Sequence, residues 1–143
     1  MTFFIDANVI VYSGSDDPER HAACEEILAA VARGAVEGRT STAVLEEVWH
    51  LELTGRAGAI AGISERAYAA LAPLLRVTDE IFRRALGLRV RAMGANDRIH
   101  AATALAHGIG LIVSADAAFD GVPGLRRVDP LDARAQGLLQ PAR

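Results

Sequence analysis

The sequence predicts an α/β domain in which helices cover a largely parallel sheet. Short apolar runs typical of buried strands alternate with longer segments whose apolar residues recur at helical spacing. A chain of 143 residues has the usual length of one domain, and a hydrophobic content of 51% is enough to build a core. The sequence shows no repeat, low-complexity segment or linker, so we expect one domain over residues 1–143.

The beginning of the chain predicts a strand and then a helix. Thr2–Ile5 is a short apolar run that ends in an acid, and a second apolar piece follows at 9–12. Residues 17–19, Asp-Pro-Glu, form a helix start, because an acid can cap the helix, proline suits its first turn and a second acid suits the positive end of its dipole. Gly34 is expected to end that helix.

The middle of the chain predicts a weak strand and a long helix. Residues 38–40 are a weak candidate for a short strand. Ser41 or Thr42 then caps a helix that continues to about Thr54, with apolar residues on one side and two glutamates in its second turn. The glycines of 55–62 interrupt the helical pattern.

Two further helices are predicted before the last third of the chain. Residues 64–65, Ser-Glu, begin the first of them, and 76–78 are a candidate for a short strand. Thr78 or Asp79 then caps a second helix, which we expect to continue to about Met93.

The strongest pattern lies in the last third of the chain. An alanine-rich helix begins near Asp97 and ends at Gly108, and 109–113 is an apolar run expected of a strand covered on both faces. Residues 125–128 predict a last short strand. Residues 130–143 are expected to form a tail that is poorly ordered at its end.

The composition predicts a soluble, cytoplasmic protein. No apolar run approaches the roughly 20 residues of a membrane helix, and no basic region precedes the first apolar run, as a secretory signal requires. The single cysteine, Cys24, cannot form an internal disulfide and suits a reducing compartment.

The charge pattern leaves nucleic acid open as a partner. A formal net charge of −3 argues weakly against it. All 15 basic residues are nevertheless arginines, and six of them fall in one short span: Arg76, Arg83, Arg84, Arg89, Arg91 and Arg98. Arginine pairs with phosphate through two parallel donors, but solvated helix faces explain the same residues equally well.

Four carboxylates are candidates for chemistry. Asp6 and Asp116 each follow a strand that is expected to be buried, and Glu47 and Asp97 each lie in the first turns of a helix. Sites in open parallel sheets form at the carboxyl ends of strands, so all four acids can reach one edge of the sheet.

A divalent cation would make such crowding favourable. Neighbouring carboxylates repel each other, which raises some of their pKa values, and a bound cation removes that penalty. Mg²⁺ and Mn²⁺ prefer oxygen ligands, whereas the lack of a Cys or His cluster argues against zinc. Each acid also has a structural interpretation as a turn former, a helix cap or a solvated residue, and the residue pattern alone leaves both interpretations open.

Three segments of the chain resemble the PIN-domain family, and within it the VapC-like toxins of toxin–antitoxin pairs. They are FFIDANVIVY at the start, TSTAVLEEVWHL in the middle and NDRIHAATALAHGIGLIVSADAAFDGVPGLRRVDP near the end. The resemblance covers nearly the whole chain in the right order, and its last segment is the most specific. It implies a PIN-like three-layer α/β/α domain with a short, mostly parallel central sheet.

The resemblance also implies a function. The family's matching acids bind Mg²⁺ or Mn²⁺ and cut RNA, and they correspond here to Asp6, Glu47, Asp97 and Asp116. Glu46 precedes Glu47, and we choose Glu47 because its offset from Ser41 fits the family pattern better. The family further implies an RNA substrate, a VapB-like antitoxin as protein partner, frequent homodimers and no membrane.

Two polar residues beside the acids have a functional and a structural interpretation. Asn8 could orient Asp6 or serve only as a turn residue. Ser114, which stands where the family more often has threonine, could bond Asp6 or a substrate phosphate, or only end its strand.

Three other residues near the acids carry weaker signals. His100 lies one turn after Asp97, but a lone histidine on an apolar helix is more often a core or boundary residue. Arg98 could meet an RNA phosphate or be solvated. Trp49 is expected in the core rather than on a surface that stacks bases.

Two rival functions remain at the level of sequence. A non-catalytic RNA- or protein-binding module that kept the PIN fold would bind without a metal and would tolerate substitution of the acids. A phosphatase that uses Asp6 as its nucleophile usually needs a second acid two residues later, where this chain has Asn8.

Overall fold

The structure is a computed structural model that describes residues 1–141, and it has an α/β fold with a four-stranded, all-parallel sheet. The strands are β1 (Thr2–Ile5), β2 (Glu37–Arg39), β3 (Leu111–Val113) and β4 (Arg126–Val128). The helices are α1 (Ala7–Tyr12), α2 (Pro18–Ala32), α3 (Thr42–Thr54), α4 (Ile63–Leu71), α5 (Asp79–Leu86) and α6 (Ala95–Ala106). Short 3-10 helices span Ala117–Gly121 and Pro130–Asp132. The predicted α/β class and parallel sheet are confirmed.

The order of the strands creates a crevice at the carboxyl end of the sheet. The order is β2-β1-β3-β4, so the chain first moves from β1 to β2 on one side and then crosses back over β1 to β3 on the other. Such a reversal separates the connecting segments above the two central strands, which is where open parallel sheets place their sites. The register pairs Ile5 with Val113, and the N–H of Asp6 donates to the carbonyl oxygen of Val113 at 3.2 Å. Asp6 and Ser114 are therefore neighbours across this edge.

The two central strands are buried on both faces. Phe4, Ile5, Ile112 and Val113 are all 0% exposed, as the uninterrupted apolar runs predict. The helices pack onto them through a shared core that includes Ile10, Ile27, Val44, Val48 and Ala101. Each such large side chain contributes about 1.5–3 kcal/mol when it is buried. The sheet is thus a firm base for the side chains at its carboxyl edge.

Three helices begin where their capping signals predicted. The side chain of Asp17 accepts a hydrogen bond from the N–H of Arg20 at 3.1 Å and caps α2. Ser41 caps α3 through the N–H of Val44 at 3.2 Å, and Thr78 caps α5 in the same way. Each cap satisfies an N–H that the first helical turn leaves without a partner. Helix α4 begins one residue before the predicted Ser-Glu start.

The predicted strands are in part shorter than expected, and one is wrong. Residues 76–78 form no strand in the described structure; the only pairing nearby is a single bridge between Ser41 and Leu75. Strand β3 begins at Leu111 rather than at residue 109. An apolar run defines what can be buried, whereas strand pairing also needs a partner in register.

The predicted helix that begins at Thr78 is also shorter than expected. It ends at Leu86 instead of near Met93, and the chain then forms an irregular loop, residues 87–94. The guanidinium of Arg98 donates to three carbonyl oxygens of this loop, those of Met93 at 2.9 Å, Leu88 at 2.8 Å and Val90 at 3.3 Å. These contacts replace the hydrogen bonds that a longer helix would have made.

The C-terminal segment packs onto the domain as far as it is described. Ala133 and Leu138 are buried, and the 3-10 helix Pro130–Asp132 contacts α2. The poorly ordered end expected for the tail falls partly on residues 142–143, which lie outside the described residues. Among residues 1–141, every helix is too short or too polar to cross a membrane.

Candidate metal centre

The four predicted acids line one cleft at the carboxyl edge of the sheet. Asp6 follows β1, Asp116 lies just beyond β3, Glu47 projects from α3 and Asp97 from the first turn of α6. The cleft has a volume of about 330 Å³. The rest of its wall is formed by Ala7, Asn8, Val11, Tyr12 and Leu51. Four acids that are far apart in sequence therefore meet in space.

Asp6 is buried and held by three hydrogen bonds. Its Oδ1 accepts from the N–H of Ala7 at 2.8 Å, and so caps α1. Its Oδ2 accepts from the hydroxyl of Ser114 at 2.6 Å and from Nδ2 of Asn8 at 3.1 Å. The Oδ1 of Asn8 accepts in turn from the N–H of Ala115 at 3.2 Å. Asn8 and Ser114 thus orient Asp6.

Ser114 connects Asp6 to the second acid of the strand edge. It is 0% exposed. Its Oγ accepts from the N–H of Asp116 at 3.0 Å while it donates to Asp6. Asp116 caps the following 3-10 helix, because its Oδ1 accepts from the N–H of Ala118 at 2.9 Å. The two acids after β1 and β3 are therefore fixed by one hydroxyl group.

Glu47 reaches the cleft because of its place on α3. Val44 and Val48, on either side of it along the helix, are buried in the core, and the half-buried Glu47 lies at the edge of that face. Its Oε2 is 3.1 Å from Nε2 of His100 on α6, and His100 is 0% exposed. This contact is a hydrogen bond when Nε2 carries the proton and the carboxylate of Glu47 accepts it.

The side chains of Glu46 and Glu47 face different surfaces of the domain. Glu46 is exposed and lies in a groove between α3 and α4, together with Trp49 and Tyr68. The choice of Glu47 as the acid that faces the other three agrees with this geometry. The helical rotation of about 100° per residue is what sends two consecutive glutamates to different surfaces.

Asp97 stands at the start of α6, next to a residue that anchors the preceding loop. Arg98 points away from the cleft and donates to the loop carbonyls described above. Arg98 is half-buried, and its three hydrogen bonds give it a structural role that neither interpretation offered from the sequence included. The N-cap residue of α6 is Gly94, which has no side chain to cap the helix. The bonds of Arg98 to the loop therefore fix where the helix, and with it Asp97, begins.

The electrostatics of the cleft favour a bound cation. Burial raises the pKa of Asp6 above its ordinary value, although His100 and the hydrogen bond from Ser114 oppose that effect. Burial, together with the carboxylates of Asp6 and Asp116, raises the pKa of Asp97 to about 7. Gathering these carboxylates without a positive charge therefore costs free energy. A proton on Asp97 or a cation in the cleft offsets that cost.

The donor set suits a hard divalent cation. Ligand atoms of Asp6, Glu47 and His100 lie within 4.8 Å of one another. The Nε2 of His100 is 3.1 Å from Glu47, and the ligand atoms that the four acids contribute are all carboxylate oxygens. Oxygen ligands with room for water are the environment that Mg²⁺ and Mn²⁺ prefer. The cleft residues therefore fit such an ion and do not fit a structural zinc site.

For two residues the structure adds to or corrects the sequence-based expectation. His100 was expected in the core, and it is buried, but its contact with Glu47 across 53 positions of sequence was not foreseen. Its spacing of one turn from Asp97 was the available signal. Trp49 was expected in the core and is 56% exposed, so that prediction is wrong.

The fold and the acidic cleft define a class of protein, and comparison with known families agrees. The family model described as the PIN domain matches residues 3–125. The chain therefore belongs to the PIN-domain family. No curated protein is similar enough in sequence to count as a relative.

Solved structures with a similar fold include toxin–antitoxin proteins. One is VapBC2 from Rickettsia felis bound to a DNA fragment from its promoter, with 18% identity, a TM-score of 0.64, and coverage of 90% of this chain and 98% of that one. A toxin–antitoxin complex from Klebsiella pneumoniae has 21% identity, a TM-score of 0.61, and 90% and 97% coverage. VapC20 from Mycobacterium tuberculosis, described as a toxin that cleaves the sarcin–ricin loop, has 21% identity, a TM-score of 0.62, and 87% and 98% coverage. At these identities the likeness concerns the fold.

Proposed function

We propose that this protein is an endoribonuclease that depends on Mg²⁺ or Mn²⁺ and hydrolyses phosphodiester bonds of RNA. The observation that carries the proposal is the convergence of Asp6, Glu47, Asp97 and Asp116 on one cleft. The raised pKa values of Asp6 and Asp97 add support, because they indicate a site that gains stability from a positive charge. Membership of the PIN-domain family agrees with nuclease chemistry.

The cleft residues divide into those that would hold the ion and those that position them. Asp6 and Asp97 would hold the principal ion, directly or through water, while Glu47 and Asp116 complete the acidic pocket. A bound Mg²⁺ or Mn²⁺ would supply an activated water and polarise the phosphoryl oxygen. Ser114 keeps the Oδ2 of Asp6 in one orientation. The attacking water would displace the 3′ oxygen in line and leave a 5′ phosphate.

We also propose that the protein is the toxin of a toxin–antitoxin pair, blocked by a VapB-like antitoxin, and that it forms a homodimer. Structures described as toxin–antitoxin complexes share its fold. Three large apolar side chains on α3 and α4 are exposed, Trp49 by 56%, Leu53 by 70% and Tyr68 by 57%. Exposed apolar clusters of this kind are typical of surfaces that a protein partner covers.

Substitution of the acids tests the nuclease proposal. Asp6→Asn and Asp97→Asn should each lower Mg²⁺-dependent RNA cleavage by about 1000-fold or more, equivalent to roughly 4 kcal/mol of lost transition-state stabilisation. Glu46→Gln is the matched control, because Glu46 is exposed outside the cleft, and it should cleave at the wild-type rate. The measurement is single-turnover cleavage of labelled RNA, with circular dichroism to show that each variant folds.

The same experiment separates the rival functions. Wild-type cleavage by purified Asp6→Asn protein would refute the nuclease assignment. RNA binding that persists in chelator, without cleavage in Mg²⁺ or Mn²⁺, would instead favour a non-catalytic binding module. A trapped aspartyl phosphate on Asp6 would favour the phosphatase.

A further inference from the structure

Arg127, on strand β4, contacts both ends of the turn that carries Asp116. Its Nη1 donates to the carbonyl oxygen of Ser114, where the turn leaves β3, at 3.0 Å. Its Nε and Nη2 donate to the two carboxylate oxygens of Asp120, in the 3-10 helix that follows Asp116, at 2.9 and 3.3 Å. Paired donors on one planar guanidinium fix direction as well as distance. One side chain therefore closes the turn, residues 114–120, at its start and at its end.

Burial and neighbouring charges hold the guanidinium of Arg127 in place. Its side chain is only 17% exposed, and the carboxylate of Asp129 lies 3.6 Å from its Nη1. The hydrogen bonds from Arg127 also hold the pKa of Asp120 below its ordinary value, so Asp120 is ionised at neutral pH. An isolated surface ion pair contributes little, whereas a bidentate pair within a network of charges keeps its geometry.

The backbone of Ser114 depends on β4 for both of its polar groups. Its N–H donates to the carbonyl oxygen of Val128 at 3.1 Å, and its carbonyl oxygen accepts from Arg127. Ser114 is 0% exposed, so that carbonyl oxygen needs a donor from within the protein. The Oγ of the same residue donates to Asp6 and accepts from the N–H of Asp116. A shift of this backbone would therefore disturb the hydrogen bonds of both acids.

The structure assigns to Arg127 the role of a positioning residue for the acidic cleft, because it holds the turn so that Ser114 and Asp116 keep their places beside Asp6. This inference rests on the proposed nuclease function and adds to it a residue that is not part of the cleft wall. Arg127 acts on the ligands of an ion through the turn. Residues that orient metal ligands typically change metal affinity by about 10- to 100-fold.

The affinity for Mn²⁺ tests this inference. Arg127→Gln should lower the affinity by about 10-fold, at the lower end for residues that orient metal ligands, because it acts through the turn. Arg126→Gln is the matched control and should bind Mn²⁺ as the wild type does. Arg126 is the preceding residue of β4, points to the opposite face and donates to Gln136. Electron paramagnetic resonance of free and bound Mn²⁺ is the measurement, and an equal loss in the two variants would overturn the inference.

Two further variants show whether Arg127 acts through Ser114 and through its paired donors. If both residues act on the same ligands, Arg127→Gln/Ser114→Ala should lose clearly less Mn²⁺ affinity than the product of the two single losses. Losses that multiply in full would place the action of Arg127 elsewhere and overturn the inference. Arg127→Lys keeps the charge without the paired donors, so it should recover only part of the affinity; recovery of none of it would also count against the inference.

Hydrogen exchange in the metal-free protein tests the same role without an ion. Arg127→Gln should speed exchange of the Asp116 N–H by about 10-fold, while the N–H of Phe4 in the central strand β1 exchanges at the wild-type rate, because only the turn opens. Asp120→Ala removes the far end of the contact from a 56% exposed side chain. It should act in the same direction to a smaller degree, and it provides the test if Arg127→Gln does not fold. Equal acceleration at Phe4 and Asp116 would show a global loss of stability and overturn the inference.

Cleavage assays distinguish this inference from the proposed function. If the wild type cuts RNA with Mn²⁺, and neither Arg127→Gln nor Asp120→Ala changes Mn²⁺ affinity or exchange at Asp116, the nuclease proposal stands and the inference fails. If both quantities depend on Arg127 as expected but the wild type cuts no RNA in Mg²⁺ or Mn²⁺, the inference stands and the nuclease proposal fails.

Discussion

The two walls of the acidic cleft are held in different ways. The strand wall carries Asp6, to which Ser114 and the N–H of Ala7 donate, and Asp116, which accepts from the N–H of Ala118 and donates its own N–H to Ser114. The helix wall carries Glu47 and Asp97 on α3 and α6, two helices that also pack against each other. One contact across this wall, between Glu47 and His100, joins the two helices at 3.1 Å.

The difference shows how a metal site can be rigid on one side and adjustable on the other. Asp6 is buried at the end of a strand, where the sheet leaves it little freedom. Asp97 is only half-buried, and its raised pKa means that it is partly protonated near neutral pH. We therefore expect the strand wall to set where an ion sits and the helix wall to respond to protons and to the ion.

The largest effect on Mn²⁺ affinity is expected from removal of the Ser114 hydroxyl, which forms hydrogen bonds with both acids of the strand wall. Ser114→Ala removes the donor to Asp6 and the acceptor of the Asp116 N–H, and should lower Mn²⁺ affinity by about 100-fold, at the upper end for residues that orient metal ligands. Ser114→Thr keeps the hydroxyl and should stay within about 5-fold of the wild type on the same scale. Electron paramagnetic resonance of bound Mn²⁺ measures both. Equal losses in the two variants would mean that Ser114 acts only by packing.

A smaller effect on Mn²⁺ affinity is expected from loss of the contact between Glu47 and His100 in the helix wall. His100→Leu leaves Glu47 without its buried partner and should weaken Mn²⁺ binding by about 10-fold. His100→Gln places an amide N–H near the position of Nε2 and should restore most of that loss. The tautomer can be checked by ¹⁵N NMR, which should show the proton of His100 on Nε2. If the glutamine and leucine variants bind Mn²⁺ equally, the hydrogen bond does not position Glu47.

The smallest effect concerns the stability of the metal-free protein. The pKa of Asp97 is raised to about 7 in the folded protein, so the folded state binds its proton more tightly than the unfolded state. The wild type should therefore lose stability relative to Asp97→Asn as pH rises from about 4 to about 7, and no further above that. For a half-exposed group, solvent screening reduces the expected loss to about 1 kcal/mol. Urea denaturation of both proteins across this pH range, in chelator, measures the difference; parallel stability curves would contradict the raised pKa.

Local signals accounted for most of the strand wall. The apolar runs before Asp6 and Asp116 predicted β1 and β3, and the parallel sheet then required both acids to lie at one edge. Asn8 and Ser114 were recognised as possible partners of Asp6 because they are polar and near it in sequence or at the next strand end. Strand ends are informative because the residue that follows a buried parallel strand lies at the carboxyl edge of the sheet.

The helix wall was predictable only in part. Glu47 was chosen because its offset from Ser41 fits the family pattern, and it lies on α3 as expected, but its partner His100 is 53 positions away. The end of α5 at Leu86 was missed for the same reason, because Arg98 forms the hydrogen bonds that hold the loop of residues 87–94. Trp49 follows the apolar pattern of α3, yet its side chain is 56% exposed among residues 1–141. Hydrophobic periodicity identifies the apolar face of a helix, but it does not identify the element that packs against that face.

The sequence by itself determined the α/β class and the parallel strands that lead to Asp6 and Asp116, because hydrophobic periodicity and capping act over a few residues. It also marked four acids as candidates for one edge of the sheet, and the resemblance to the PIN-domain family favoured Glu47 over Glu46. Only the tertiary structure decided that His100 contacts Glu47 and that Arg98 anchors the loop of residues 87–94. Those contacts join elements that are distant along the chain, and their geometry is fixed only when the helices pack onto the sheet.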